Sequence, residues 1–164
     1  KNTEGLVVQI IFKMVNNAED RKDLAQEVYL KAYRNLSGFK FQAKLSTWIG
    51  QIAYNTCVNY LNKKKLMLLD EGLEQVAHKR QEFQDDNLHI WLQNKELSNI
   101  LELAMADMPP LYKTILSLFH KEELSYKEIA AITGLREGTL KSYLFRARRK
   151  MRDNLLQKYK KEDL

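Results

Sequence analysis

Between Gly138 and Arg152 the chain carries six basic residues and no acid, along T-L-K-S-Y-L-F-R-A-R-R-K-M-R. Cations, a hydroxyl and an aromatic at this density suit non-covalent work: guanidinium and ammonium groups on phosphate, donors on base edges. At about 100° per residue, Leu140, Leu144, Ala147 and Met151 fall on one stripe of a helix. Lys141, Ser142, Phe145, Arg149 and Arg152 fall on the other side, with Arg146 and Arg148 at its margins. In a major groove the outward residues nearest the helix start, Glu137, Gly138, Thr139, Lys141, Ser142 and Phe145, are placed to read bases. Arg146, Arg148 and Arg149 are better suited to phosphate. The preceding residues supply the scaffold. Ser125 and Glu128 form a capping box, Ala130 is small where two helices must meet, Gly134 provides the turn, and Leu135 and Leu140 fill the core beside it. This is helix-turn-helix spacing; the plainer alternative is an exposed basic helix on an αα-hairpin.

A second stretch, K-L-S-T-W-I-G-Q-I-A-Y-N-T-C from Lys44 to Cys57, lies in a tract without any acid between Glu27 and Asp70. Helical spacing turns Ile49, Ile52, Ala53 and Thr56 inward and Gln51, Tyr54 and Asn55 outward. Trp48 suits either the edge of a core or a contact with DNA. No nucleophile-base pair, carboxylate dyad or phosphate-binding glycine loop is visible, so neither covalent catalysis nor a cofactor is expected. The single cysteine, Cys57, excludes an internal disulfide, and His78, His89 and His120 lack the paired spacing of a metal site. A reducing cytoplasm fits. No apolar run approaches the roughly 20 residues of a membrane span.

Few glycines and prolines, with abundant Leu, Lys, Ala and Glu, predict an all-α chain. Its net charge of +6 is unevenly laid out: residues 1–65 carry +6, residues 66–97 carry −4 and residues 98–164 carry +4. Two basic lobes flanking an acidic connector suit a polyanion such as nucleic acid. Leu6, Val7, Ile10, Ile11 and Met14 repeat at helical spacing, and a second helix is expected from about Ala18 to Leu36 on the stripe Leu24, Val28, Ala32, which Leu36 would extend by one turn. Ser37-Gly38 breaks it, and a third helix begins at Ser46. Periodicity weakens after Leu66 and returns at Leu97, Ile100, Leu101, Ala104 and Met108; Pro109-Pro110 then opens a further helix. The expected organisation is therefore two small helical domains, 1–66 and 97–164, joined by an acidic linker over 67–96.

In D-L-A-Q-E-V-Y-L-K-A-Y-R-N-L, then L-S-T-W-I-G-Q-I-A-Y-N, then M-P-P-L-Y-K-T-I-L through the helix-turn-helix to R-A-R-R-K-M-R, the chain resembles the extracytoplasmic-function sigma factors of bacterial RNA polymerase. The resemblance covers all but the linker. It implies a first domain (sigma region 2) that binds polymerase and opens the promoter minus-10 element, and a second (sigma region 4) that reads the minus-35 element. By that resemblance Asp23, Gln26, Glu27 and Leu30 would dock on the clamp helices of the polymerase largest subunit, with the flap as a second contact. The loop Gly38 to Leu45 would hold a flipped base, which Phe41, Gln42 and Lys44 are chemically able to do, and Phe39 too unless it is core. Trp48, Gln51, Tyr54 and Asn55 would receive the opened strand. Minus-35 readout would fall to Arg136, Glu137, Gly138, Thr139, Lys141, Ser142, Phe145, Arg146 and Arg149. The family also implies an anti-sigma protein as partner. Two departures stand out: Gly50, Gln51 and Tyr54 occupy positions where relatives often carry arginines, and Arg136 replaces a Ser cap. The rival readings are a stand-alone helix-turn-helix regulator, which has no need of the Asp23 to Asn55 block, and an RNA-binding helical module.

Overall fold

The computed structural model describes residues 3–70 and 92–162, with side chains over 3–68 and 98–157. Helix α1, Thr3–Met14, forms on the expected stripe: Leu6, Val7, Ile10, Ile11 and Met14 are all buried. Helix α2, Ala18–Asn35, starts where the Asn17 side chain accepts hydrogen bonds from the Glu19 and Asp20 amides at 2.9 and 3.0 Å. Those two residues also place carboxylates at the positive end of the helix. The chain then tightens into a 3-10 turn, Leu36–Gly38, before α3, Leu45–Asp70. Helix α3 does not stop at the lysines, because Leu66, Met67 and Leu68 are good helix formers and nothing in the sequence breaks it there.

Helix α4, Leu92–Met105, begins inside the segment read as linker; residues 71–91 of that segment lie outside the described residues. Pro110 sits in the first turn of α5, Pro110–His120, where its missing N–H costs nothing. Helix α6, Tyr126–Thr133, opens with the expected capping box: Ser125 Oγ accepts from the Glu128 amide at 3.2 Å while the Glu128 carboxylate accepts from the Ser125 amide at 2.9 Å. Gly134 closes it with φ +73°, a left-handed conformation that favours glycine, and sends the chain into α7, Glu137–Glu162.

All regular structure among the described residues is helical. Helix α1 packs on α3 and α5, α3 packs on α2 and α6, and α7 lies against α4, α5 and α6. The helices of the amino-terminal half are thus docked on those of the carboxy-terminal half. One apolar core joins them, running from Leu6, Val7 and Ile10 through Ala53 and Cys57 to Ile115, Leu118, Ile129, Leu140 and Leu144.

Candidate nucleic-acid interface

Helix α7 separates its faces as the spacing predicts. Leu140, Leu144 and Ala147 are buried, whereas Arg136, Glu137, Gly138, Thr139, Lys141, Ser142, Phe145, Arg146 and Arg149 are all exposed. The Arg136 carbonyl accepts the Leu140 N–H at 2.9 Å and begins the helix. Aromatic rings steady several of its cations: Tyr126 lies 5.4 Å from the Lys141 ammonium, and Tyr143 lies 5.8 Å from the Arg146 guanidinium. Arg148 stands over Phe119 and donates from Nε to His120 Nε2 at 3.2 Å. Burial, and then the Arg148 charge, lower the His120 pKa, which keeps that nitrogen able to accept. Phe145, Arg148, Arg149 and Arg152 line an open hollow of about 420 Å³ on the outer side. A cationic face with a protruding aromatic ring can pair with phosphate and press on base edges.

A second surface forms around the loop before α3. Phe39 is half-buried between Phe41, at 4.7 Å between ring centroids, and Trp48, at 5.1 Å. Trp48, half-buried at the edge of the core, is the base of an aromatic stack whose tip, Phe41, is 86% exposed with φ +55°. A Phe in the left-handed region is strained, and the loop holds its ring outward there. Beside the stack an open cleft of about 250 Å³ is walled by Phe39, Gln42, Trp48 and Gln51, with Ala131 of α6 on the other side. Gln42, Gln51 and Asn55 are exposed as expected. Lys44 is exposed but engaged, its ammonium 2.7 Å from Glu128 Oε1. That hydrogen bond, followed by the one from the Ser125 backbone, holds the Glu128 carboxyl at about 2.

Tyr54 is placed differently from the sequence reading, which turned it outward. It is 9% exposed and part of the core, with its pKa raised by burial and then by Tyr143 of α7. The physical reason is that α3 is covered on two sides, by α1 and α2 and again by α6, so Thr47, Gly50, Tyr54 and Cys57 form a second buried strip beside the first. The Cys57 thiol, pushed up to about 12 by burial and then by Glu27, is an inert core group.

On the outer side of α2, Asp23, Gln26, Glu27 and Leu30 are exposed together, off the buried Leu24, Val28 and Ala32. Glu27 pairs with Lys31 one turn on, at 2.5 Å. Beside Leu30, Tyr29 and Tyr33 are exposed too, Tyr33 to 80%, and both went unnoticed in the sequence; Leu36, expected on the buried stripe, is also exposed, because the chain leaves α2 for the 3-10 turn there. The spacing of Tyr29, Leu30 and Tyr33 off the core stripe was the available signal, since a helix face meant only for water rarely carries three large apolar residues.

Two family models match the chain, Sigma-70 region 2 over residues 2–66 and Sigma-70, region 4 over residues 98–151. Among curated proteins the chain is similar to the ECF RNA polymerase sigma factor SigW of Bacillus subtilis, at 32% identity over 154 residues, covering 91% of this chain and 82% of that protein. It is also similar to the ECF RNA polymerase sigma-E factor of Haemophilus influenzae, at 33% identity, with 84% and 75% covered. Among solved structures its fold resembles that of the sigma factor RpoE in complex with the anti-sigma factor NepR from Bartonella quintana. The TM-score is 0.70 at 20% identity, over 93% of this chain and 91% of that one.

Proposed function

The chain belongs to the ECF RNA polymerase sigma factors, and from that premise we propose that it directs bacterial core RNA polymerase to promoters bearing a minus-10 and a minus-35 element. The observation that carries the reading is the α7 face: every residue expected to read or grip DNA is exposed, on a helix-turn-helix whose cap, turn and buried stripe are all in place. A stand-alone regulator would need nothing more, but this chain also has α1 to α3. Their exposed α2 face of Asp23, Gln26, Glu27, Leu30 and Tyr33 supports docking on the clamp helices of the polymerase largest subunit. The flap is the second polymerase contact in this reading.

Helix α7 takes the minus-35 duplex, with Lys141, Ser142 and Phe145 on bases and Arg146 and Arg149 on phosphates. Phe41, Gln42, Lys44 and Trp48 hold a flipped minus-10 base, and Gln51 and Asn55 follow the opened strand. Tyr54 can join them only if the packing that buries it, where α6 lies on α3, is released. The two-domain division at 1–66 and 97–164 belongs to the same reading, supported by where the family models match. No covalent chemistry is required; binding energy recruits polymerase and melts DNA in the cytoplasm. Control by an anti-sigma partner is supported by the complex in which the fold relative was solved. No described helix is long and apolar enough to cross a membrane.

Co-elution with core polymerase on gel filtration tests the reading. The wild-type chain should co-migrate, and Leu30→Asp, which puts a charge on the exposed α2 face, should weaken the complex at least tenfold. A wild-type chain that never associates with core polymerase would remove the reading.

A further inference from the structure

A ladder of side chains crosses the helix-turn-helix. The Lys141 ammonium lies 5.4 Å from the Tyr126 ring, Tyr126 stacks on Phe119 at 5.1 Å between centroids, and the Arg148 guanidinium stands 5.2 Å from Phe119. His120 closes it: its ring meets Phe119 edge-on at 5.0 Å, and its Nε2 accepts from Arg148 Nε at 3.2 Å. A guanidinium has no lone pair to offer, so this bond exists only while Nε2 carries no proton. One proton turns the acceptor into a donor and sets two cations against each other. Arg148 matters because of where it is held. On α7 it follows Lys141 and Phe145 at helical spacing, and with Phe145, Arg149 and Arg152 it lines the open hollow on the outer side, yet it is tied back to α5.

We propose that His120 is a positioning residue for duplex binding: neutral, it holds Arg148 over Phe119 and off the DNA; protonated, it releases Arg148 to a backbone phosphate. This deepens the reading of α7 as the duplex-binding helix and rests on it. Arg148 of α7 is the charge that acts on His120. Helix α6 brings Tyr126, stacked on the neighbouring Phe119; α1 meets α5 through Gln9 on Ser117, and its Lys13 pairs with Glu102. Lys121, Glu122 and Glu123 follow along the chain, and Arg152, one turn beyond Arg148, pairs with Asp153. Burial, and then Arg148, lower the His120 pKa from its ordinary 6.5, so release falls on the acid side of that value. The coupling is reciprocal: a phosphate nearby favours the protonated ring, so duplex binding takes up a proton.

Two measurements on the full chain test it. Without DNA, nitrogen NMR follows the Arg148 side-chain Nε–H while His120 is titrated; the signal should shift with the imidazole. With a labelled mixed-sequence duplex, anisotropy gives affinity and its salt dependence between about pH 8 and about pH 5.5. Acidification should raise wild-type affinity about fivefold and steepen the slope of log affinity against log salt by about one unit. His120→Gln, whose side-chain oxygen accepts from Arg148 at every pH, should keep the weaker affinity and shallower slope throughout. His120→Arg, charged at every pH, should bind at about pH 8 as the wild type does at about pH 5.5. A wild-type pH profile reproduced by His120→Gln would overturn the proposal, as would an Arg148 signal that stays fixed while His120 titrates. Duplex binding absent at every pH would instead remove the reading of α7, and the proposal with it; the two failures are distinct because the Arg148 signal is read without DNA.

Discussion

Arg148 and Arg149 are neighbours on α7 but are set up for different work. The first is held over Phe119 and hydrogen-bonded to His120, while the second projects from the exposed face. Arg149→Ala should therefore weaken duplex binding evenly across sequences and lower the slope of log affinity against log salt by about one unit. An unchanged slope would remove its phosphate role. Glu128 has a pH signature. Its folded pKa of about 2 lies below its ordinary 4.5, so its contribution to stability is present above about 4.5 and is lost as pH falls toward 2. Urea unfolding across that window should show the loss in the wild type and a flatter profile in Glu128→Gln. Tyr54→Ala is now a core truncation; by analogy with other buried aromatics it should cost about 3 kcal/mol in chemical unfolding. A loss below about 1 kcal/mol would contradict its placement.

At the level of elements, the helix-turn-helix was legible because each of its parts has a local cause. The Ser125–Glu128 box, the Gly134 turn and the Leu140, Leu144, Ala147 stripe each depend on residues a few positions apart. Gly134→Ala would force a β-carbon into the left-handed conformation and should lower stability by about 1 kcal/mol; a change of only a few tenths would mean the turn relaxes. Helix α3 was only half legible. A wheel with one buried stripe found Ala53 and Thr56, but about half the circumference is covered, and the second strip of Thr47, Gly50, Tyr54 and Cys57 depends on α6, some eighty positions along the chain. Gly50 looked like a departure from an arginine-rich helix; its neighbours show that a side chain there would press on Ile132 and Leu6.

For the whole molecule, charge layout along the chain pointed to a polyanion partner, and the order of the motifs carried the resemblance to sigma factors, from which a polymerase surface was implied. The docking of the halves was not legible: the residues that make it, such as Leu6 and Ile132 or Lys13 and Glu102, read equally well as parts of two separate cores and surfaces. As a sigma factor, this chain should make core polymerase promoter-specific. The most direct measurement is transcription in vitro with core polymerase on fragments of the native genome, with transcript starts mapped at nucleotide resolution. Starts should appear only when the chain is added and should share two upstream sequence elements at a fixed spacing. Starts identical with and without the chain would contradict it.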